Sequence, residues 1–259
     1  MCGRFTLFAS ADEIVRRFRV RNPVPDDYVP RYNIAPTQPV LAVINDGKEN
    51  RIGYLRWGLI PSWAKDAKMG SKLINARAET LTEKPSFRDA VRHRRCLIVA
   101  DGFYEWAHTE HGKQPMRIQR KDGGLFAMAG LWERWRSPDG RWVYTCAIVT
   151  TEANERLRAI HPRMPVILAE EDEATWLDPS FVDAAHWQPL LKPFPADALV
   201  AYPVSPKVNQ ASYDAPELIR PWDDGHTAPD NALAAEPTEP TTEWVLNQTF
   251  GRTGPESGS

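Results

Sequence analysis

Short apolar runs cut off by tight-turn signals limit what this chain can fold into. Residues 39–44 form an apolar run stopped by Asn45-Asp46-Gly47, and residues 96–100 form another. Runs this short, bounded by residues that tolerate a positive φ, read as strands. Residues 117–119 and 125–131 flank Lys121-Asp122-Gly123-Gly124 and read as a hairpin, and Ser137-Pro138-Asp139-Gly140 leads into a strand over 142–150. Helical signals are fewer. Ser10-Ala11-Asp12-Glu13 is a capping box ahead of Ile14, Val15 and Phe18 on one face. Ser86 is placed to cap a helix through His93, and further helices are expected over 152–159 and 171–177. Strands dominate and tight turns join many of them. The expected fold class is therefore α+β: a single compact domain with a mostly antiparallel, barrel-like central sheet and flanking helices, not a doubly wound one.

Composition divides the chain at about Trp222. Residues 1–222 read as one body. Residues 223–259 are rich in Pro, Thr and acids, and read as an acidic, disordered tail that buries too little apolar surface to offset ordering. One patch in it, Glu243-Trp244-Val245-Leu246, is a candidate for docking. The tail holds seven acids and one base; removing them from the chain's 34 acids and 32 bases leaves 27 and 31, a body of +4. That charge permits a nucleic-acid partner without requiring one. The N-terminus lacks the pattern of a signal peptide, and no run of about 18 apolar residues offers a membrane span. The three cysteines show no metal spacing. Cys96 and Cys146 sit in apolar runs and read as reduced core residues of a cytosolic protein. No GxGxxG, P-loop, HExxH or GxSxG pattern occurs.

Four places carry residues suited to chemistry. Cys2 follows the initiator methionine, which is generally removed ahead of a small side chain. The chain would then begin with an amine and a thiol on adjacent carbons, able to condense with an aldehyde and close a thiazolidine. A free α-amine has a pKa of about 7.7–8.0, so part of it is neutral near pH 7. The same group also suits attack on an amide, and the plainer alternative is an incidental small residue. Asn75 and Arg77, two apart on an extended segment, face one way and offer a grip on a carbonyl and an anion; a structural turn beside a surface Arg is the alternative. Glu105 lies among Phe103, Tyr104 and Trp106, where desolvation would raise its pKa toward that of a general acid. An outward Glu on a strand with inward aromatics fits equally. In Ile160-His161-Pro162-Arg163-Met164-Pro165, two prolines stiffen the backbone around His161 and Arg163, although a lone His is commonly structural. Arg31–Gln38 and Arg56–Trp63 mix basic residues with aromatics and prolines, as wedges against bases do, or as ordinary core packing does.

In order along the chain stand Met-Cys-Gly-Arg-Phe, Asn-Ile-Ala-Pro-Thr-Gln, Arg-Trp-Gly-Leu-Ile-Pro-Ser-Trp, Asn-Ala-Arg-Ala-Glu-Thr, Asp-Gly-Phe-Tyr-Glu-Trp and His-Pro-Arg-Met-Pro. Together they resemble the SOS-response-associated peptidase family, the abasic-site processing proteins. The match runs from residue 1 to about 165, and the acidic tail is not part of it. The resemblance implies a compact α+β fold with a barrel-like sheet and a DNA–protein crosslink formed by Cys2. In that scheme Asn75 positions the terminal amine or the sugar, and Glu105 moves protons. His161 assists opening of the deoxyribose ring, and Arg4, Arg77 and Arg163 bind phosphates beside the lesion. It implies single-stranded DNA containing abasic sites as partner, no metal or organic cofactor, a possible AP-lyase side activity, and a cytoplasmic protein that joins the nucleoid when acting on DNA. The family name keeps a cysteine peptidase open, with Cys2 as nucleophile and autocatalytic removal of Met1. A noncatalytic single-strand binder is a third reading.

Overall fold

A computed structural model of the chain describes residues 2–222, so the expected tail over 223–259 lies outside the described residues. Among the described residues, thirteen strands follow in chain order: β1 (Phe5–Leu7), β2 (Arg31–Ile34), β3 (Pro39–Asn45), β4 (Asn50–Trp57), β5 (Asn75–Arg77), β6 (Arg95–Ala100), β7 (Gly102–Thr109), β8 (Gly112–Arg120), β9 (Phe126–Arg136), β10 (Trp142–Glu152), β11 (Arg163–Pro165), β12 (Ile167–Leu168) and β13 (Leu199–Pro203). The helices are short: α1 (Ala11–Phe18), α2 (Arg88–His93), α3 (Glu173–Leu177) and α4 (Ala184–Trp187).

β4, β3, β6, β9 and β10 pair in that order, and β10 returns to β4 through a parallel contact at Thr145↔Arg56 and Cys146↔Trp57. The ring is closed, so none of its strands presents an open edge at that point. β13, β8, β7, β1 and β2 form a second, antiparallel sheet. The α+β class with a barrel-like, mostly antiparallel sheet is as expected. All six residues of β6 are buried, which explains its unbroken apolar run. Cys96 and Cys146 are free thiols in the core, as read from the sequence. Among the described residues, no helix is long and apolar enough to cross a membrane.

A buried carboxylate ties the start of the chain to the junction of β6 and β7. Asp101 sits at that junction and is almost fully buried. Its carboxylate accepts from Thr6 Oγ1 and the Phe8 amide, both at 2.5 Å, and faces the Arg117 guanidinium at 3.4 Å. A carboxylate at such depth needs partners of this kind. The result pins β1, near the N-terminus, beside β7.

The capping box forms as expected, with Ser10 accepting from the Glu13 amide and Ile14 and Phe18 buried. Three local expectations are corrected. Lys121-Asp122-Gly123-Gly124 does not close a hairpin. β8 pairs with β7 and β13, whereas β9 pairs with β6, β10 and β12, so the turn carries the chain from one sheet to the other. Turn chemistry is local, but partners are chosen by which faces must be buried. Ser86 caps nothing: α2 begins at Arg88, and the amides of Phe87 and Arg88 both reach the Lys84 carbonyl of the preceding turn. Residues 152–159 form no helix. Glu152 ends β10 paired with Arg163, and the Asn154 side chain takes the Leu157 amide. The chain then turns tightly, with the Ile160 and His161 amides both donating to the Leu157 carbonyl at 2.9 Å.

Candidate active site

β1 runs beside β7, with Phe5 opposite Phe103 and the Tyr104 amide donating to the Arg4 carbonyl at 2.9 Å. That pairing draws the start of the chain along β7 toward Glu105. Cys2 is completely buried.

Asn75 comes from a different direction. β5 lies parallel to β10, with Ile148 beside Asn75 and Thr150 beside Arg77. The Ile74 carbonyl accepts from the Ile148 amide at 3.0 Å and from the indole of buried Trp57 at 2.9 Å. Trp57 also packs edge-on against Phe5, at 5.2 Å between ring centroids. Held on both sides, Asn75 donates through Nδ2 to the Cys2 carbonyl at 2.9 Å. This fixes the backbone of the residue whose amine and thiol are at issue.

Glu105 is 4% exposed on β7. Burial pushes its carboxyl above the ordinary value; the positive charge of the chain's amino terminus and then of His161 pull the other way. Its Oε1 lies 3.9 Å from His161 Nδ1. That nitrogen is 3.0 Å from both the amide nitrogen and the carbonyl oxygen of Arg163, so the turn ahead of β11 orients the ring. The Cys2 thiol is pushed up by burial first and by the Glu105 charge second, with the amino terminus opposing. Cys2, Asn75, Glu105 and His161, from four separate motifs, thus share one site. Desolvation does act on Glu105, which turns inward and not out from its strand.

The three arginines differ. Arg77 is exposed beside Glu79, whose carboxyl is held below its ordinary value by the Arg163 hydrogen bond first and by the Arg77 charge last. Arg163 forks onto Glu79 at 2.7 and 3.0 Å and donates to the Thr150 carbonyl at 2.6 Å. Arg4 is half-buried and donates through Nη1 to Asn33 Oδ1 at 2.7 Å and the Val208 carbonyl at 2.6 Å. Burial lowers its pKa. Sequence reasoning assigned no role to Glu79 or Thr150, and reached Asn33 and Trp57 only within stretches read as wedges against bases or as core packing. Glu79 and Asn33 stand inside quoted motifs, yet only contacts across the fold reveal what they hold. Within the Arg56–Trp63 stretch, Trp57 is core and Trp63 is 57% exposed.

Comparisons with known proteins place the chain among relatives. The family model described as SOS response associated peptidase (SRAP) matches residues 1–211. The abasic site processing protein YoqW of Bacillus subtilis (strain 168) is 53% identical over 221 residues, 85% of this chain and 99% of that protein. The abasic site processing protein HMCES of Mus musculus is 32% identical, over 86% of this chain and 76% of its own. A crystal structure of a protein from Bacteroides thetaiotaomicron superposes with a TM-score of 0.78 at 29% identity, covering 85% of this chain and all of the other.

Proposed function

Because this chain belongs to the SOS response associated peptidase family, we propose that it captures abasic sites in single-stranded DNA as a thiazolidine on Cys2, formed after Met1 is removed. The observation that carries the reading is the convergence on the start of the chain. Asn75 holds the Cys2 carbonyl, and the buried Glu105 carboxyl lies in the field of the amino terminus and of His161.

An abasic sugar rests mainly as a closed hemiacetal. Opening it needs a proton delivered to the ring oxygen and another taken from the anomeric hydroxyl. Glu105, whose carboxyl burial shifts toward holding its proton, supplies the acid, and His161 beside it relays the second proton. The neutral Cys2 amine adds to the aldehyde and water leaves, giving an imine. The thiol then adds to the imine carbon: a C–S bond forms, and the thiol proton passes through Glu105 to the ring nitrogen. Nothing is oxidised or reduced. Ring closure removes the electron sink that β-elimination needs, so the strand stays whole. Slow closure instead leaves a lyase side reaction. Arg77 serves the flanking phosphates, joined by whatever donors Arg4 and Arg163 keep free of their protein partners.

A thiol peptidase would need an easily ionised Cys2. Burial first and the Glu105 charge second act in the opposite direction.

The test is incubation with a single-stranded oligonucleotide carrying one abasic site, followed by a denaturing gel. A slower band that survives boiling without reductant is expected. Its absence, with Met1 shown by mass spectrometry to be gone, refutes the reading.

A further inference from the structure

One face of the β9–β10 hairpin is built unlike the rest of the surface. Trp142 and Tyr144 are 51% and 48% exposed, two residues apart on one strand. Across from them stand Arg136 and Arg134, in register at Trp142↔Arg136 and Tyr144↔Arg134. Both guanidinium groups lie over the Trp142 ring, at 5.3 and 5.8 Å from its centroid. Trp132 flanks Tyr144 at 6.4 Å. The opposite face of the same hairpin is occupied: Trp135 and Val143 pack on Ile60 and Ala64. Nearby acids are already used. Glu133 pairs with Arg94 and Asp139 with Arg141, and among the described residues no ion pair involves Arg134 or Arg136. Two unneutralised arginines and two exposed rings on a flat sheet face complement phosphates and bases together.

We infer that this face is a second contact surface for single-stranded DNA, with Trp142 and Tyr144 as stacking platforms and Arg134 and Arg136 as phosphate contacts. The inference rests on the reading that the protein acts on single-stranded DNA. Spacing favours bases: residues two apart on a strand are separated by about 6.6 Å, near two stacked-base steps of about 3.4 Å. Position favours the same strand that holds the lesion. Ile148 lies beside Asn75, so Tyr144 and Trp142 are four and six residues further along β10, about 13 and 20 Å from the site. A strand bound at Cys2 reaches them within a few nucleotides.

Fluorescence anisotropy with the full chain tests it, using undamaged single strands of about 8 and about 30 nucleotides. Trp142→Ala/Tyr144→Ala should bind the long strand about 30-fold more weakly than wild type, and Arg134→Gln/Arg136→Gln about tenfold. The arginine variant should also show a salt slope shallower by about 1.4. Short-strand binding should not change, and Trp142→Phe/Tyr144→Phe should recover long-strand affinity by restoring the rings. Unchanged long-strand affinity in both variants overturns the inference, as does a rise, which would assign the face to the acidic residues 223–259. Equal loss on a duplex of the same length also overturns it, because paired bases cannot stack on a side chain. Crosslinking of an abasic site in the short strand is read in parallel. If wild type fails there, the crosslinking reading falls, while long-strand affinity still decides this surface.

Discussion

Glu105 concentrates the chemistry at the scale of single residues. Its carboxyl is raised by burial, so the folded state holds the proton more tightly than the unfolded chain does. Stability from this group is complete below the ordinary carboxylate pKa of about 4.3 and is lost as pH rises through the elevated folded value. Glu105→Gln should therefore match wild type in melting temperature near pH 4 and exceed it at pH 7, by about 2–4 °C per kcal/mol of relieved burial. It should also slow crosslinking by about 100-fold or more, because the amide keeps the shape and loses the proton. Thermal scans at both pH values and single-turnover gels check the two halves; a variant less stable at pH 7 would make Glu105 structural. Cys2→Ser separates the two bonds of the adduct. Serine still allows Met1 removal, so an imine should form and be trapped by borohydride, with some strand cleavage, whereas the boiling-stable band should vanish. A stable band from the serine variant without reductant would end the thiazolidine mechanism. Arg77→Ala should weaken binding and reduce the salt slope by about 0.7 per lost contact, read by anisotropy at several salt concentrations.

At the scale of elements, the segment between β4 and β5 decides where Asn75 lies. Gly58 has φ +130°, which only glycine adopts without strain, and its amide donates to the Cys146 carbonyl at 2.8 Å. A Cβ on Gly70 would stand 2.6 Å from the Gly58 carbonyl oxygen. The two glycines let the segment fold against itself, and the Leu59 amide then reaches the Leu73 carbonyl just ahead of Asn75. Gly70→Ala should destabilise by about 1–3 kcal/mol, through backbone that must shift. It should also slow crosslinking more than it weakens DNA affinity, because the grip on Cys2 moves with β5. Urea unfolding and rate measurements on one preparation test this; an unchanged rate would uncouple the segment from the site.

At the scale of the molecule, the proposed reaction centre is spread over the chain's own beginning and three distant segments, and the family match ends at residue 211. An N-terminal extension that cannot be cleaved should abolish the crosslink, because no free amine then adjoins the thiol. Deleting residues 225–259 should leave crosslinking on a short abasic strand within about twofold of wild type, a shift of under about 0.4 kcal/mol. Denaturing gels decide both, and an uncleaved, extended protein that crosslinks normally would refute the role of the terminal amine.

The sequence alone determined the α+β class, the strand at β6, the capped start of α1 and the buried state of Cys96 and Cys146. Each follows from a local pattern of apolar residues and turn chemistry. It also exposed the residue proposed to react, since an amine beside a thiol is a property of position two. Only the tertiary structure decided which strands pair. Lys121-Asp122-Gly123-Gly124 carries hairpin chemistry, yet it joins two sheets because β8 and β9 bury their faces against different neighbours. The same holds for the arginines: Arg4, Arg77 and Arg163 look alike in one dimension. Arg163 is forked onto Glu79 from 84 residues away and Arg4 is tied to Val208 from 204 away, while Arg77 stays exposed. Pairing of charges over such separations depends on which faces the barrel and the second sheet bring together, and no local pattern carries that information.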